Sequence, residues 1–313
     1  MNILVSGSLA YDRIMDFQGR FSDHILPAKI HVLNISFTVN SLTEKFGGTA
    51  GNIAYGLSLL GEKPLILATI GRDYHRYFDW LAKNNISHDG IKIIEQELTA
   101  SAYITTDQAD NQITGFNPGA MKFVSSFDFG KISSKESIAI VAPGNLEDMI
   151  NCSAIYKSKG IDYIFDPGQS LPMWNNLDLI KCIDGSKIMI LNDYELELVI
   201  NKTGLDKEEL LQRTNTIITT LGEVGSCVCT SDYEINIPAF KTKKIVDPTG
   251  AGDAYRAGLI KGLVQNLNIK QSAEMGSVCA SFAIECYGTQ EYYFSLTDFE
   301  KRLLTYPTIT NQS

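Results

Sequence analysis

Short apolar runs alternate with helical periodicity along nearly the whole chain. The run "NILVSG" opens it, and "GNIAYGLSLLG", "PLILATIG" and "YHRYFDWLAKNNI" follow. Further on come "SIAIVAP", "YIFDPG", "KIMILN", "YELELVINKTG", "NTIITTLG" and "AYRAGLIKGLVQNL". The strand-like runs are short, β-branched and bounded by glycine or proline, and each leads into a helical pattern. That succession predicts an α/β fold, a parallel sheet with helices on both faces. Ligands of such sheets bind at the carboxyl ends of the strands.

Two stretches break the rhythm. Residues 13–46 carry alternating pieces such as "KIHVLNISFTV" with no covering helix, and residues 99–116, "TASAYITTDQADNQITGF", read as a hairpin with a polar "DQADN" turn. Neither has enough apolar residues to bury both faces. Together they are expected either to form a small antiparallel sheet lying over the main one as a lid, or to be an ordinary pair of surface hairpins. The tail "TYPTITNQS" reads as frayed.

Composition narrows the field. The 313 residues are 44% hydrophobic, enough for a substantial core. Net charge is −9, and the longest basic cluster is "KTKK" at 241–244, which argues against nucleic acid as a partner. No window approaches ~18 uninterrupted apolar residues, so no membrane span is expected. The opening "MNILVSGSLAYD" lacks the basic start and long apolar region of a signal peptide and reads as a strand. Six cysteines (Cys152, Cys182, Cys227, Cys229, Cys279 and Cys286) sit in apolar surroundings, as reduced core thiols do, and the four histidines form no ligand pair. A soluble cytoplasmic protein is the expectation.

The chemistry concentrates in "KKIVDPTGAGDAYRAGLIKGL" at 243–263. A strand-like "KKIV" ends at Asp247-Pro248, since proline disfavours helix for the residue before it. Thr249 to Gly252 offer too little side chain to pack, and a helix is expected from about Asp253. Strand, glycine turn and helix can point free N–H groups at an anion, although a mere tight connection is the plainer reading of such a turn. Tyr255 stands where the third glycine of a dinucleotide fingerprint belongs, and the G-K-[ST] of a nucleoside-triphosphate loop is missing. Asp253 changes the balance. At a helix start it gains ~0.3–1 kcal/mol from the helix dipole. As a general base beside an anion cradle it would contribute roughly 10²–10⁴ in rate. Asp247, facing away, could hold a cation beneath the turn.

"DPTGAGDAYRAG" resembles the carboxyl-terminal signature of the ribokinase-like (PfkB) family of sugar and nucleoside kinases. "FGGTAGNIAYGLSLLG" at 46–61 is similar to that family's di-glycine signature. "NDYELE" at 192–197, "TLGEVG" at 220–225 and "GSLAYD" at 7–12 match further motifs in register. Within the family the chain most resembles bacterial adenosine kinases, through "GRFSDHILP", "ISFTV", "GFNPGAM" and "YGTQEYY". The resemblance implies a three-layer α/β/α core with a mostly parallel sheet and a small antiparallel β lid. Its segments would be a first core strand at 1–12, lid at 13–46, core at 47–98, lid hairpin at 99–117, and core with the ATP site at 118–313. It implies ATP-dependent phosphorylation of the 5′-hydroxyl of adenosine to AMP, as in purine salvage, with Mg²⁺ carried by ATP, K⁺ as a second ion, and a homodimer.

Roles carry over by the same resemblance. Asp253 matches the catalytic base, and Gly250, Ala251 and Gly252 the anion hole. Asp12, Gly47, Gly48 and Asn52 match the ribose site, Ser8 and Ser36 polar contacts to the nucleoside, Phe116 a stacking aromatic and Gln169 a residue near the purine. Thr220, Gly222 and Gly225 match the ATP site, and Asp247 a monovalent-cation ligand. Asn192 and Glu195 match a pair that arranges Mg²⁺ waters at the ATP site, though they equally spell a helix capping box. Two departures bear on the base. A second stacking aromatic of those kinases is replaced by Ala102, with the adjacent Tyr103 facing the other way. An arginine expected just after "DP" is absent, with Met173 nearby. The alternatives are a kinase for a free sugar such as ribose or for another nucleoside, and a non-catalytic nucleoside or nucleotide sensor. The intact Asp253 and its glycines argue against the sensor.

Overall fold

The computed structural model describes residues 1–25, 31, 34–109 and 111–307. In chain order the first strands are β1 (Asn2–Ser6), β2 (Ala10–Asp16), β3 (Ser41–Gly47), β4 (Pro64–Gly71), β5 (Ile91–Ile94), β6 (Ala100–Thr106) and β7 (Gln112–Asn117). They are followed by β8 (Ser137–Val141), β9 (Asp162–Phe165), β10 (Ile188–Asn192), β11 (Ile217–Thr220), β12 (Gly225–Cys229) and β13 (Glu234–Pro238). The helices are α1 (Phe21–His24), α2 (Thr49–Leu59), α3 (His75–Lys83), α4 (Leu146–Lys159) and α5 (Asn176–Ile183). Then come α6 (Asp193–Thr203), α7 (Lys207–Leu211), α8 (Ala251–Val264), α9 (Ile269–Ala283) and α10 (Leu296–Leu304).

Nine strands form the central sheet in the order β13-β12-β11-β10-β9-β8-β1-β4-β5. All neighbours from β11 to β5 are parallel, and β12 and β13 add an antiparallel edge. Successive side chains alternate between two cores. Ile3, Val5, Ile138, Ile140, Ile188 and Ile190 pack with α2, α8 and α9. Leu4, Ala139, Val141, Met189 and Leu191 pack with α4, α5 and α6 on the opposite face. A strand buried on both faces has no polar phase, so the central positions of these runs are apolar without alternation. Each fully buried Leu or Ile contributes about 1.5–3 kcal/mol. Among the described residues no helix is long and apolar enough to cross a membrane. All six cysteines are free thiols.

The remaining strands form a four-stranded sheet, β3-β2-β6-β7. Its outer pairings are antiparallel, and its central pair, β2 with β6, is parallel. The hairpin expected at 99–117 is β6 and β7. The other half differs from expectation. Its first strand begins at Ala10, inside the segment read as core, and its second is Ser41–Gly47, after the "KIHVLNISFTV" stretch. Residues 34–39 have no regular structure. Phe37 packs instead against Phe17 and Phe21, with ring centroids 4.6 and 5.7 Å apart, so its apolar side chain finds cover without a partner strand. Residues 26–30 and 32–33 of that segment, and the tail 308–313 read as frayed, lie outside the described residues.

"KKIV" is likewise not a strand. Val246 N–H donates to Ile284 O at 2.8 Å, tying the segment to the end of a helix instead of a sheet edge.

Candidate active site

α8 starts at Ala251, two residues before the expected position. Gly250 is its N-cap, with φ +80°, and a Cβ there would approach Thr289 to 3.0 Å, so backbone conformation and space both call for glycine. Ala251 N–H donates to Pro248 O at 3.2 Å. The N–H groups of Gly250, Gly252 and Asp253 have no acceptor among the described residues and remain for an anion at the positive end of the helix. Asp247 braces this turn from below. Its carboxylate accepts from Thr249 N–H at 2.9 Å and from Gly288 N–H at 3.0 Å.

Asp253 occupies the third position of α8, half-buried, and accepts a hydrogen bond from Asn52 Nδ2 at 2.8 Å. Burial pushes its carboxyl up to about 6, against the opposing pull of Arg256 and the Asn52 hydrogen bond. A carboxylate with that value is mostly ionised at neutral pH yet basic enough to accept a proton, as a general base requires. Asn52 comes from α2, whose N-cap Gly48 has φ +88°. A Cβ at Gly48 would fall 2.6 Å from Ser8 O, so the β3–α2 turn can close on the end of β1 only with glycine there.

A cleft of about 550 Å³ opens beside Asp253, lined among others by Gln169, Asn192, Glu195, Thr220, Gly252 and Arg256. Across Thr220, Gly222 and Gly252 it adjoins an apolar cavity of about 490 Å³ walled by Phe240, Ile245, Pro248, Tyr255, Ala280 and Ile284. Gly225 lines that cavity as well. A polar chamber at a helix start next to an apolar slot suits a triphosphate and its base. Asn192 and Glu195 do form a capping box on α6: Glu195 N–H donates to Asn192 Oδ1 at 2.7 Å and Asn192 N–H to Glu195 Oε2 at 2.8 Å. The second Glu195 oxygen makes no hydrogen bond among the described residues. Burial raises the Glu195 carboxyl, partly offset by that cap bond. Among the described residues no group of three His, Cys, Asp or Glu side chains could hold a metal. The Glu195 oxygen left over from the cap is the group that could hold a water of an ion bound chiefly by phosphate oxygens.

The small sheet carries a second group of expected residues. Asp12, Ala102 and Phe116 are register partners across β2, β6 and β7, so they share one face. The Asp12 carboxylate is half-buried, has no hydrogen-bond donor among the described residues and is raised by burial. Phe116 is 52% exposed. Tyr103 belongs to the other face, where its hydroxyl accepts from Arg13 Nη1 at 2.6 Å. Alanine at 102 thus leaves a gap in the row between the carboxylate and the phenyl ring.

Three further expected residues are placed as follows. Both hydrogen bonds of the Ser8 hydroxyl go to Thr49, so it caps α2. Ser36 is exposed in the irregular 34–39 stretch. Gln169 lines the polar cleft with Asp253. Sequence reasoning also missed two residues. Arg256 is 7% exposed and Asp166 2%. Arg256 Nε donates to Asp166 Oδ2, and Nη1 to Gly252 O at 2.9 Å, while Nη2 has no acceptor among the described residues and the side chain lines the cleft. The signal was present: an arginine three residues after Asp253, on the same helix face, amid small and apolar neighbours. It places a guanidinium in the chamber although none follows the "DP" strand.

The profile described as pfkB family carbohydrate kinase matches residues 9–294. A nucleoside kinase of Methanocaldococcus jannaschii is 33% identical over 260 residues, 82% of this chain and 85% of that protein. A solved M. jannaschii nucleoside kinase, described as an archaeal member of the ribokinase family, superposes with a TM-score of 0.85 at 30% identity, over 97% of this chain and 98% of that one. Burkholderia thailandensis nucleoside kinase in complex with inosine gives 0.83 at 34% identity, over 97% of both chains. Its complex with ADP-inosine gives 0.81 at 35%, over 97% of this chain and 95% of that one.

Proposed function

This chain belongs to the pfkB family of carbohydrate kinases and has a ribokinase-like fold, and on that premise we propose that it is an ATP-dependent nucleoside kinase acting on purine ribonucleosides. The observation that carries the reading is Asp253, a half-buried carboxylate raised to about 6 and oriented by Asn52 beside the free N–H groups of the α8 turn. The ribose lies between Asp12 and the Gly47–Gly48 turn with its 5′-hydroxyl at Asp253, and the base stacks on Phe116. ATP fills the adjoining chambers with its γ-phosphate at Gly250 and Gly252. The 5′-oxygen forms a bond to the γ-phosphorus as the bond to the β,γ-bridging oxygen breaks. Asp253 takes the hydroxyl proton and later returns it to solvent; the products are the nucleoside 5′-monophosphate and ADP. The turn N–H groups and Arg256 stabilise charge on the transferring phosphoryl. Mg²⁺, when bound with ATP near Glu195, neutralises phosphate charge.

Adenosine is the acceptor the sequence suggests, and inosine is the ligand carried by the B. thailandensis structure. The gap at Ala102 favours a site that accepts both. Closure of the small sheet excludes water in this reading, and its two edge strands, β3 and β7, are where a homodimer would join. The test is a coupled ADP-release screen with Mg²⁺ and K⁺ against adenosine, inosine, guanosine, cytidine and ribose. Purine nucleosides should lead by at least tenfold. A preference for ribose would remove the nucleoside reading, and full turnover by Asp253→Asn would remove the base.

A further inference from the structure

The segment "YGTQEYY" at 287–293 has no part in the chemistry described so far, yet it enters the active site. We propose that Gln290, its amide locked by Trp80 and Tyr77, is a positioning residue that fixes the orientation of the Asn52 amide and thereby the carboxylate that receives the proton. The proposal rests on Asp253 acting as the base.

The argument follows hydrogen-bond polarity along a buried chain. An indole N–H can only donate. Trp80 Nε1 donates to Gln290 Oε1 at 2.8 Å, so the Gln290 oxygen must face the indole and its NH₂ group must face away. Tyr77 donates its own proton to Gly47 O at 2.8 Å, leaving its oxygen to accept from Gln290 Nε2 at 3.1 Å. The second Gln290 N–H goes to Asn52 Oδ1 at 2.9 Å. With its oxygen engaged, Asn52 can offer Asp253 only its NH₂, and Nδ2 donates to Asp253 Oδ2 at 2.8 Å. Neither amide can flip without placing two donors or two acceptors together, and Gln290 and Tyr77 are 2% and 0% exposed, so water cannot repair the mismatch.

Space has been left for the relay. A Cβ at Gly51 would fall 2.0 Å from the Tyr77 hydroxyl and 3.0 Å from Gln290 Nε2. The segment is also held from both sides. Lys45 Nζ donates to Tyr287 O at 2.7 Å, Thr289 Oγ1 to Phe46 O at 3.0 Å, and Gly288 N–H to Asp247 Oδ2 at 3.0 Å. One strap therefore joins the edge strand β3, the turn before α8 and the base's orienting amide.

The charged and titratable groups facing Asp253 are Arg256 on its own helix, Asp166 after β9 and the Tyr292 hydroxyl, with Glu195 facing Arg256. None is altered by the substitutions below, which are themselves uncharged. An Asn52 donor favours the ionised base, and a reversed Asn52 would press a carbonyl oxygen against it.

The test measures kcat and KM against pH for the full chain with ATP, Mg²⁺ and adenosine or inosine. Gln290→Met should raise the acid limb by about one pH unit and lower kcat about twofold at pH 7 and more below it, with KM within about twofold. Trp80→Phe, which removes the donor and shortens the aromatic ring system, should shift the limb less and in the same direction. In an Asn52→Leu background the Gln290→Met shift should vanish, since Gln290 acts only through Asn52. An unmoved limb in a folded Gln290→Met, or an equal shift in the Asn52→Leu background, overturns the proposal. Full turnover by Asp253→Asn would instead remove the base reading itself.

Discussion

Arg256 and Asp166 form a buried ion pair at the wall of the cleft beside Asp253, and cutting it separates scaffold from chemistry. Arg256→Met leaves the Asp166 carboxylate buried without its cation, a loss of about 3–5 kcal/mol for pairs of this kind. At roughly 2 °C per kcal/mol for a chain this long, the melting temperature should fall by about 6–10 °C. Burial pushes the Asp166 carboxyl up and the arginine pulls it down, so without the arginine its folded value lies further above the unfolded one. The folded state then binds more protons than the unfolded, and the stability deficit should grow as pH rises and shrink as it falls towards 5. Adding Asp166→Asn removes the stranded charge, and most of the lost stability should return. Turnover should not return: a donor facing the transferring phosphoryl is worth roughly 10²–10³ in kcat. Thermal melts at pH 5.5 and 8 and coupled ADP release on the same samples read both quantities. Recovery of activity together with stability would show that Arg256 only supports the fold. A stable Arg256→Met would refute the energetic reasoning itself.

Further outcomes follow from the same geometry. Wild-type kcat should rise along a single acid limb near pH 6 as Asp253 ionises, and a limb below pH 5 would contradict its burial. Because that value lies above the unfolded one, folding stability contributed by this group should fall as pH rises from about 4 to 6. Asp253→Asn should therefore abolish turnover yet melt above wild type at pH 8, and a lower melting point would refute this sign. Phe116→Ala should raise KM for purine nucleosides roughly tenfold, in line with about 1–3 kcal/mol per stacked base, and leave ribose unaffected. An unchanged KM would remove the stacking role. Replacing K⁺ by a bulky organic cation should lower turnover in wild type but not further in Asp247→Asn; equal sensitivity of both proteins removes Asp247 as the ion's ligand.

The layered core was legible because it repeats. Strands covered on both faces must be apolar through their central positions, so "SIAIVAP" and "KIMILN" announce themselves without knowledge of their neighbours. The glycine turn was legible for a related reason, since a positive-φ cap at Gly250 admits few residues other than glycine. The small sheet was harder. "KIHVLNISFTV" alternates as a strand should, but Phe37 is covered by Phe17 and Phe21, and local alternation cannot say whether the cover is a sheet or an aromatic cluster.

What the sequence by itself determined is the succession of strands and helices, the glycine turn, and Asp253 as the residue to watch, because these depend on neighbours a few positions away. The tertiary structure decided which groups meet there. Asn52 reaches Asp253 across 201 positions, Gln290 reaches Asn52 across 238, and Arg256 reaches Asp166 across 90. A hydrogen bond or a buried charge pair is selected by distance and direction in space, over about 3 Å, and no local pattern encodes which partner a fold will bring within that range.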